Sequence, residues 1–115
     1  MDSFRLMSVN DLRIDERTMR CEGKDCGAGI SFLISSEDRV GAGPGLHKHP
    51  YSETWIVEAG RARFTSGDQQ TEVGPGSVGV VGPDTPHRFV NLGPDPLKIL
   101  CIHACERFIT EWLAA

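Results

Sequence analysis

Glycine and proline do most to limit what this chain can fold into. Thirteen glycines and seven prolines are spread through 115 residues. They cut the chain into short runs with β character: GISFLISS (29–36), SETWIVEA (52–59), RARFT (61–65), GSVGVV (76–81), HRFVN (87–91) and LKILCIHA (97–104). Turn signals lie between them, at 22–25, 66–70, 74–77, 82–86 and 92–96. Short strands at such even spacing predict an all-β sandwich or barrel. Only the tail ERFITEWLAA, about residues 105–114, reads as helix, because Phe108/Trp112 and Ile109/Leu113 are i,i+4 pairs on one apolar face. That helix is expected to cap one end of the barrel. With no linker, repeat or low-complexity tract, residues 1–115 are expected to form a single domain.

Charge and cysteine content narrow the function classes. A net charge of −4 gives no reason to expect a nucleic-acid partner. No apolar run approaches the length of a membrane span, and the charged N-terminus lacks a signal-peptide core, so a cytoplasmic location is the expectation. Cys21, Cys26, Cys101 and Cys105 form C-x4-C and C-x3-C pairs rather than the C-x2-C pairs of structural zinc sites. They read as free thiols, with a Cys21–Cys26 link across a turn as the alternative. There is no glycine-rich phosphate loop leading into a helix and no nucleophile elbow.

The stretch GAGPGLHKHPYSETWIVEAG (41–60) carries the chemistry. Residues two apart in a strand share a face, so one continuous strand would aim His47, His49 and Glu53 to one side. Pro50 interrupts that ladder, so the parity of Glu53 does not follow from that of the histidines. In PHRFVN, His87, Phe89 and Asn91 again share a face. Three imidazoles and a carboxylate are a ligand set for a divalent metal that leaves positions open for water or substrate. The competing reading is a group of ordinary surface or hydrogen-bonded core histidines.

The spacing also resembles a known family. Gly41, five residues, His47, one residue, His49, three residues, Glu53, six residues and Gly60 match the first motif of the cupins without a gap. Gly76, His87 and Asn91 keep the spacing of the second motif, although Gly82 stands where that pattern has proline and Asp84 where it has glycine. The resemblance implies a double-stranded antiparallel β-helix, or jelly-roll barrel, with a metal inside near one mouth. It carries the ligand roles onto His47, His49, Glu53 and His87, for one divalent ion per chain (Fe2+, Mn2+, Ni2+ or Zn2+). It also implies a homodimer paired through outer strands. Fold and ligand set do not choose among the family's chemistries.

The remaining inward positions suggest a pocket. With Lys98 facing outward, Ile99, Cys101 and His103 point inward. A hairpin around LGPDP that pairs Asn91 with Leu97 would set Phe89 opposite Ile99 and His87 opposite Cys101, with His103 at the rim near Thr85. Cys101 and His103 are as readily a core thiol and a rim histidine as a neighbour of the metal and an acid/base catalyst. Phe32, Ile34, Trp55, Phe64, Phe89 and Cys101 are the expected pocket residues, suited to a small, partly hydrophobic molecule. Arg61 and Arg63 alternate with Ala62 and Phe64 and are expected to face out, and no inward arginine or lysine clearly awaits a phosphate, which counts against a sugar-phosphate isomerase. The leading expectation is a metal-dependent enzyme acting on a small organic substrate, in the manner of an iron-dependent oxygenase. A non-catalytic ligand-binding module and a metal-assisted isomerase or cyclase, with His103 as the spare acid/base, are the alternatives.

Overall fold

The computed structural model describes residues 3–113. Ten strands are found among them: β1 (Thr18–Cys21), β2 (Ser31–Glu37), β3 (His47–Lys48), β4 (Glu53–Ala59), β5 (Ala62–Ser66), β6 (Gln69–Val73), β7 (Val78–Val81), β8 (His87–Asn91), β9 (Leu97–His103) and β10 (Glu111–Trp112). One four-residue helix, α1 (Gly23–Cys26), fills the turn expected at 22–25. The strands make two five-stranded antiparallel sheets, ordered β1-β2-β9-β4-β7 and β10-β3-β8-β5-β6. Their facing surfaces enclose the core, as in a jelly roll.

Alternation along each strand decides what lies inside. In β9 the residues Leu97, Ile99, Cys101 and His103 are buried while Lys98 is exposed. In β4 the buried residues are Glu53, Trp55 and Val57, and in β8 they are His87, Phe89 and Asn91. The apolar cluster of Trp55, Val57, Ala62, Phe64, Val81, Phe89, Leu97, Ile99 and Cys101 fills the closed part of the barrel. Each large side chain sealed there contributes about 1.5–3 kcal/mol relative to exposure. Two inner rungs of the first sheet matter for the site. One runs Ser31–His103–Glu53–Val81, and the next runs Arg20–Leu33–Cys101–Trp55–Gly79.

Gly60 makes the turn between β4 and β5 with φ +82, a left-handed conformation that glycine adopts without strain. A side chain there would also strike the carbonyl oxygen of Pro96.

Three expectations fail against this architecture. The tail is not helical: residues 105–110 run without regular structure, and Glu111–Trp112 pair as a strand with Lys48 and His47. The i,i+4 apolar pairs of the tail are overridden by its docking on the barrel, and the last two positions, 114 and 115, lie outside the described residues. Strands β8 and β9 are not a hairpin, because β8 pairs with β3 and β5 while β9 pairs with β2 and β4 in the opposite sheet. The loop between them crosses from one sheet to the other, so Cys101 lies opposite Leu33 and Trp55 rather than His87. Phe32 and Ile34 face away from the barrel. They line an outer groove with Met19, Leu100 and Ile102, and Leu33 and Ser35 take the inner positions of β2 instead. No helix among the described residues is long and apolar enough to cross a membrane.

Candidate metal centre

The site joins the two sheets. His47 begins β3 and pairs directly with His87, the first residue of β8. Glu53 begins β4 in the other sheet. The chain crosses between sheets through Pro50–Ser52, so Glu53 is aimed inward by the alternation of its own strand and not by a ladder shared with the histidines. His49 lies just after β3, and all four side chains are buried. One ligand atom from each of His47, His49, Glu53 and His87 lies within 4.8 Å of the others.

Backbone carbonyls set the imidazole tautomers. The Nδ1 atoms of His47, His49 and His87 lie 2.7, 2.8 and 2.8 Å from the carbonyl oxygens of Gly45, Ile109 and Thr85. A carbonyl only accepts, so each Nδ1 carries the proton and each Nε2 keeps its lone pair for the site. The Nε2 atoms of His49 and His87 stand 3.0 and 2.9 Å from the same Glu53 oxygen, Oε1. Bare nitrogens facing a carboxylate oxygen repel unless a cation or a proton lies between them. Three neutral imidazoles and one carboxylate converging in a buried space therefore fit a divalent metal ion.

Burial lowers the His47 imidazole below its ordinary value and keeps it neutral, as a ligand must be. For Glu53, burial works to raise the carboxyl, and the hydrogen bond with His103 leads the contacts that reverse it, holding the group below the usual carboxylate range.

The second oxygen of Glu53 is held from the other side. Trp55 Nε1 donates to Oε2 at 2.9 Å, and His103 Nε2 lies 3.2 Å from the same atom. Tyr51 completes a chain. Its hydroxyl oxygen accepts from the Ile109 N–H at 3.2 Å and lies 2.7 Å from His103 Nδ1. The hydroxyl proton therefore goes to Nδ1, which leaves Nε2–H of His103 to donate to Glu53. His103 has the opposite tautomer to the other three histidines, as a donor to the carboxylate. It sits beside Glu53 and Ser31 on its rung, not at a rim near Thr85.

A cavity of about 470 Å³ opens onto these groups. Phe89, Cys101 and His103 line it, and the exposed Arg20 reaches its edge. Trp55 and Phe64 pack together below it with ring centroids 4.6 Å apart. Burial, followed by the nearby Glu53 charge, pushes the Cys101 thiol well above its ordinary value, so it stays a neutral wall. The tail closes one side: Phe108 packs on His103 at 4.8 Å and Trp112 on His47 at 4.9 Å. Tyr51, Arg20 and the Ile109 carbonyl escaped the sequence reading. Tyr51, two residues from His49, had a local signal; the other two depend on pairings distant in sequence.

Comparison with known proteins agrees with this architecture. An uncharacterized protein of Methanocaldococcus jannaschii, MJ1618, is 41% identical over 63 residues, 54% of this chain and 50% of its own length. The chain thus spans about half of that curated relative. A Klebsiella pneumoniae protein with a double-stranded β-helix domain superposes with a TM-score of 0.74 at 20% identity, covering 98% of this chain and 100% of the other. Bacillus subtilis oxalate decarboxylase, a protein with Mn(II) centres, gives a TM-score of 0.76 at 23% identity, covering 86% of this chain and 29% of its own. Both show a shared fold. The cupin domain family model matches residues 36–103, which takes in both histidine motifs and more than half of the sequence, and the chain belongs to the cupin family.

Proposed function

We propose that this cupin holds one divalent metal ion through His47, His49, Glu53 and His87 and is an enzyme acting on a small organic molecule bound in the adjoining cavity. The observation that carries this reading is four buried ligand atoms within 4.8 Å of one another, with each of the three histidines fixed by a backbone carbonyl at Nδ1 and the Nε2 atoms of His49 and His87 both facing one oxygen of Glu53. Bound there, a divalent metal would supply Lewis acidity, and iron or manganese would add redox chemistry.

The chain's own residues do the rest. Trp55 and His103 hold Oε2 of Glu53, which directs Oε1 toward the histidines. Phe89, Leu33 and Cys101 give the cavity an apolar wall that excludes water around a substrate. Oxygenase-type chemistry with iron remains the leading form of the proposal. A second form, metal-assisted isomerisation or cyclisation, is favoured by one contact: His103 bonded to Tyr51 is a proton-handling pair at the edge of the centre.

Metal analysis of the purified protein, followed by oxygen uptake on a panel of small organic substrates, tests the reading. Iron with substrate-dependent uptake supports the oxygenase form. Turnover without uptake, lost in His103→Gln, supports the second. A metal-loaded protein that binds panel members with no turnover would overturn the enzyme reading in favour of a ligand-binding module.

A further inference from the structure

Arg20 has no role in holding the metal, yet its exposed side chain lines the cavity. It lies on the inner rung Arg20–Leu33–Cys101–Trp55, next to the rung that carries His103 and Glu53. Its guanidinium carbon sits 4.4 Å from the centroid of the Phe108 ring. Phe108 in turn packs edge-on against His103 at 4.8 Å, so a single aromatic layer separates the guanidinium from the histidine beside Glu53. Two anchors fix Phe108: its ring contacts, and its N–H, which donates to a Glu22 carboxylate oxygen at 3.1 Å. Stacking of this kind leaves the planar edge of the guanidinium free to offer two parallel N–H donors.

The charge of Arg20 is not consumed nearby. Among the described residues it forms no ion pair with a carboxylate. Glu37 is the only acidic residue besides Glu53 on the described cavity wall. It lies four residues along β2 from the Arg20 rung, about 13 Å at strand rise. Ser35 Oγ donates to it at 3.1 Å. No lysine lines the cavity among the described residues, and one guanidinium alone suits a planar carboxylate better than a phosphate dianion.

We propose that the cavity recognises a small organic carboxylate, whose acid group pairs with Arg20 while its other end faces the His47, His49, Glu53 and His87 cluster. This names the substrate class for the metal centre and rests on the metal reading. The ligand spans the width of the Phe108 ring, so it is an acid with a second oxygen-bearing group several carbons away. The apolar wall between the two anchors meets its methylene chain.

The test uses Mn2+-loaded protein, with retained Mn2+ measured first. Calorimetry then compares glutarate with glutaramate, which has the same length and one neutral end. Glutarate should bind about two- to five-fold more tightly, as a solvent-exposed arginine–carboxylate pair predicts. Arg20→Gln should erase that difference, and Arg20→Lys, which keeps charge but loses the planar fork, should restore only part of it. Arg20 is exposed, so both variants are expected to fold as the parent does. Mn2+ retention with equal affinities for the two probes, or a glutarate preference that survives Arg20→Gln, would refute this inference alone. Failure of the parent protein to retain Mn2+ would overturn the metal reading, and the inference with it.

Discussion

Trp55→Phe separates a structural tryptophan from one that positions a ligand. The indole is buried at 1% exposure, packs against Phe64 at 4.6 Å and donates from Nε1 to Oε2 of Glu53 at 2.9 Å. Phenylalanine keeps most of the packing and removes the donor. The lost ring volume costs roughly 1–2 kcal/mol, and the lost hydrogen bond to a buried charged oxygen roughly 1.5–3 kcal/mol. Denaturant unfolding of the metal-free protein should therefore show a loss of roughly 2.5–5 kcal/mol, a large share of the stability of a domain this size. Metal affinity, measured by competition with a chelator, should fall about 10–100-fold, because Oε2 is then held by His103 alone. Phe64→Leu is the control: it disturbs the same packing at about 1–3 kcal/mol and leaves the hydrogen bond in place, so its metal affinity should match the parent. Equal metal affinity in Trp55→Phe and the parent would refute the positioning role, whatever the stability change.

Other outcomes follow from the same geometry. Gly60→Ala places a side chain at φ +82 and against the Pro96 carbonyl oxygen, so thermal melting should show a loss of more than about 1–2 kcal/mol with the metal ligands untouched. Acid should destabilise the metal-free protein. His47 is lowered from 6.5 by burial and Glu53 is held below 4.5, so both bind fewer protons folded than unfolded. Their contribution is therefore complete above about pH 6.5 and is lost on acidification, through the histidine range first and the carboxylate range after. Flat stability from pH 7 to 5 in urea titrations would contradict the His47 shift. Thiol labelling at one pH should reach half-buried Cys105 before Cys21, whose thiol is pushed up to about 11 by burial and then by Cys26, and Cys101 last. Early labelling of Cys101 would mean that β9 does not face it inward.

The parts legible in the sequence were those fixed by local pattern. Alternation placed Ile99, Cys101 and His103 inside against Lys98 outside, and Ala62 and Phe64 inside against Arg61 and Arg63. All six expected β runs contain strands. The spacing of His47, His49, Glu53 and His87 was visible because metal ligation ties residue type to position. Parity failed on β2, where Ser31, Phe32, Leu33, Ile34 and Ser35 are compatible with either face and only the pairing of Leu33 with Cys101 settles it. Partner choice also failed, since a short turn such as LGPDP reads as a hairpin in sequence but here bridges two sheets. The tail has a helical apolar period, yet hydrogen bonds from Ile109 and Leu113 to Tyr51 and Leu46 draw it out as a strap. Such long-range contacts leave no local period to read. Arg20 and the Ile109 carbonyl were hidden for the same reason.

The central claim is that four side chains from two sheets hold one metal ion, and elemental analysis tests it most directly. Protein stripped with a chelator, reloaded with Fe2+ or Mn2+ under exclusion of air and dialysed should retain about one ion per chain. His49→Ala should retain well below that while circular dichroism still reports a β fold, because His49 is not part of the apolar cluster of Trp55, Val57 and Ile99 that fills the barrel. No retained metal in the parent, or full retention in His49→Ala, would contradict the account.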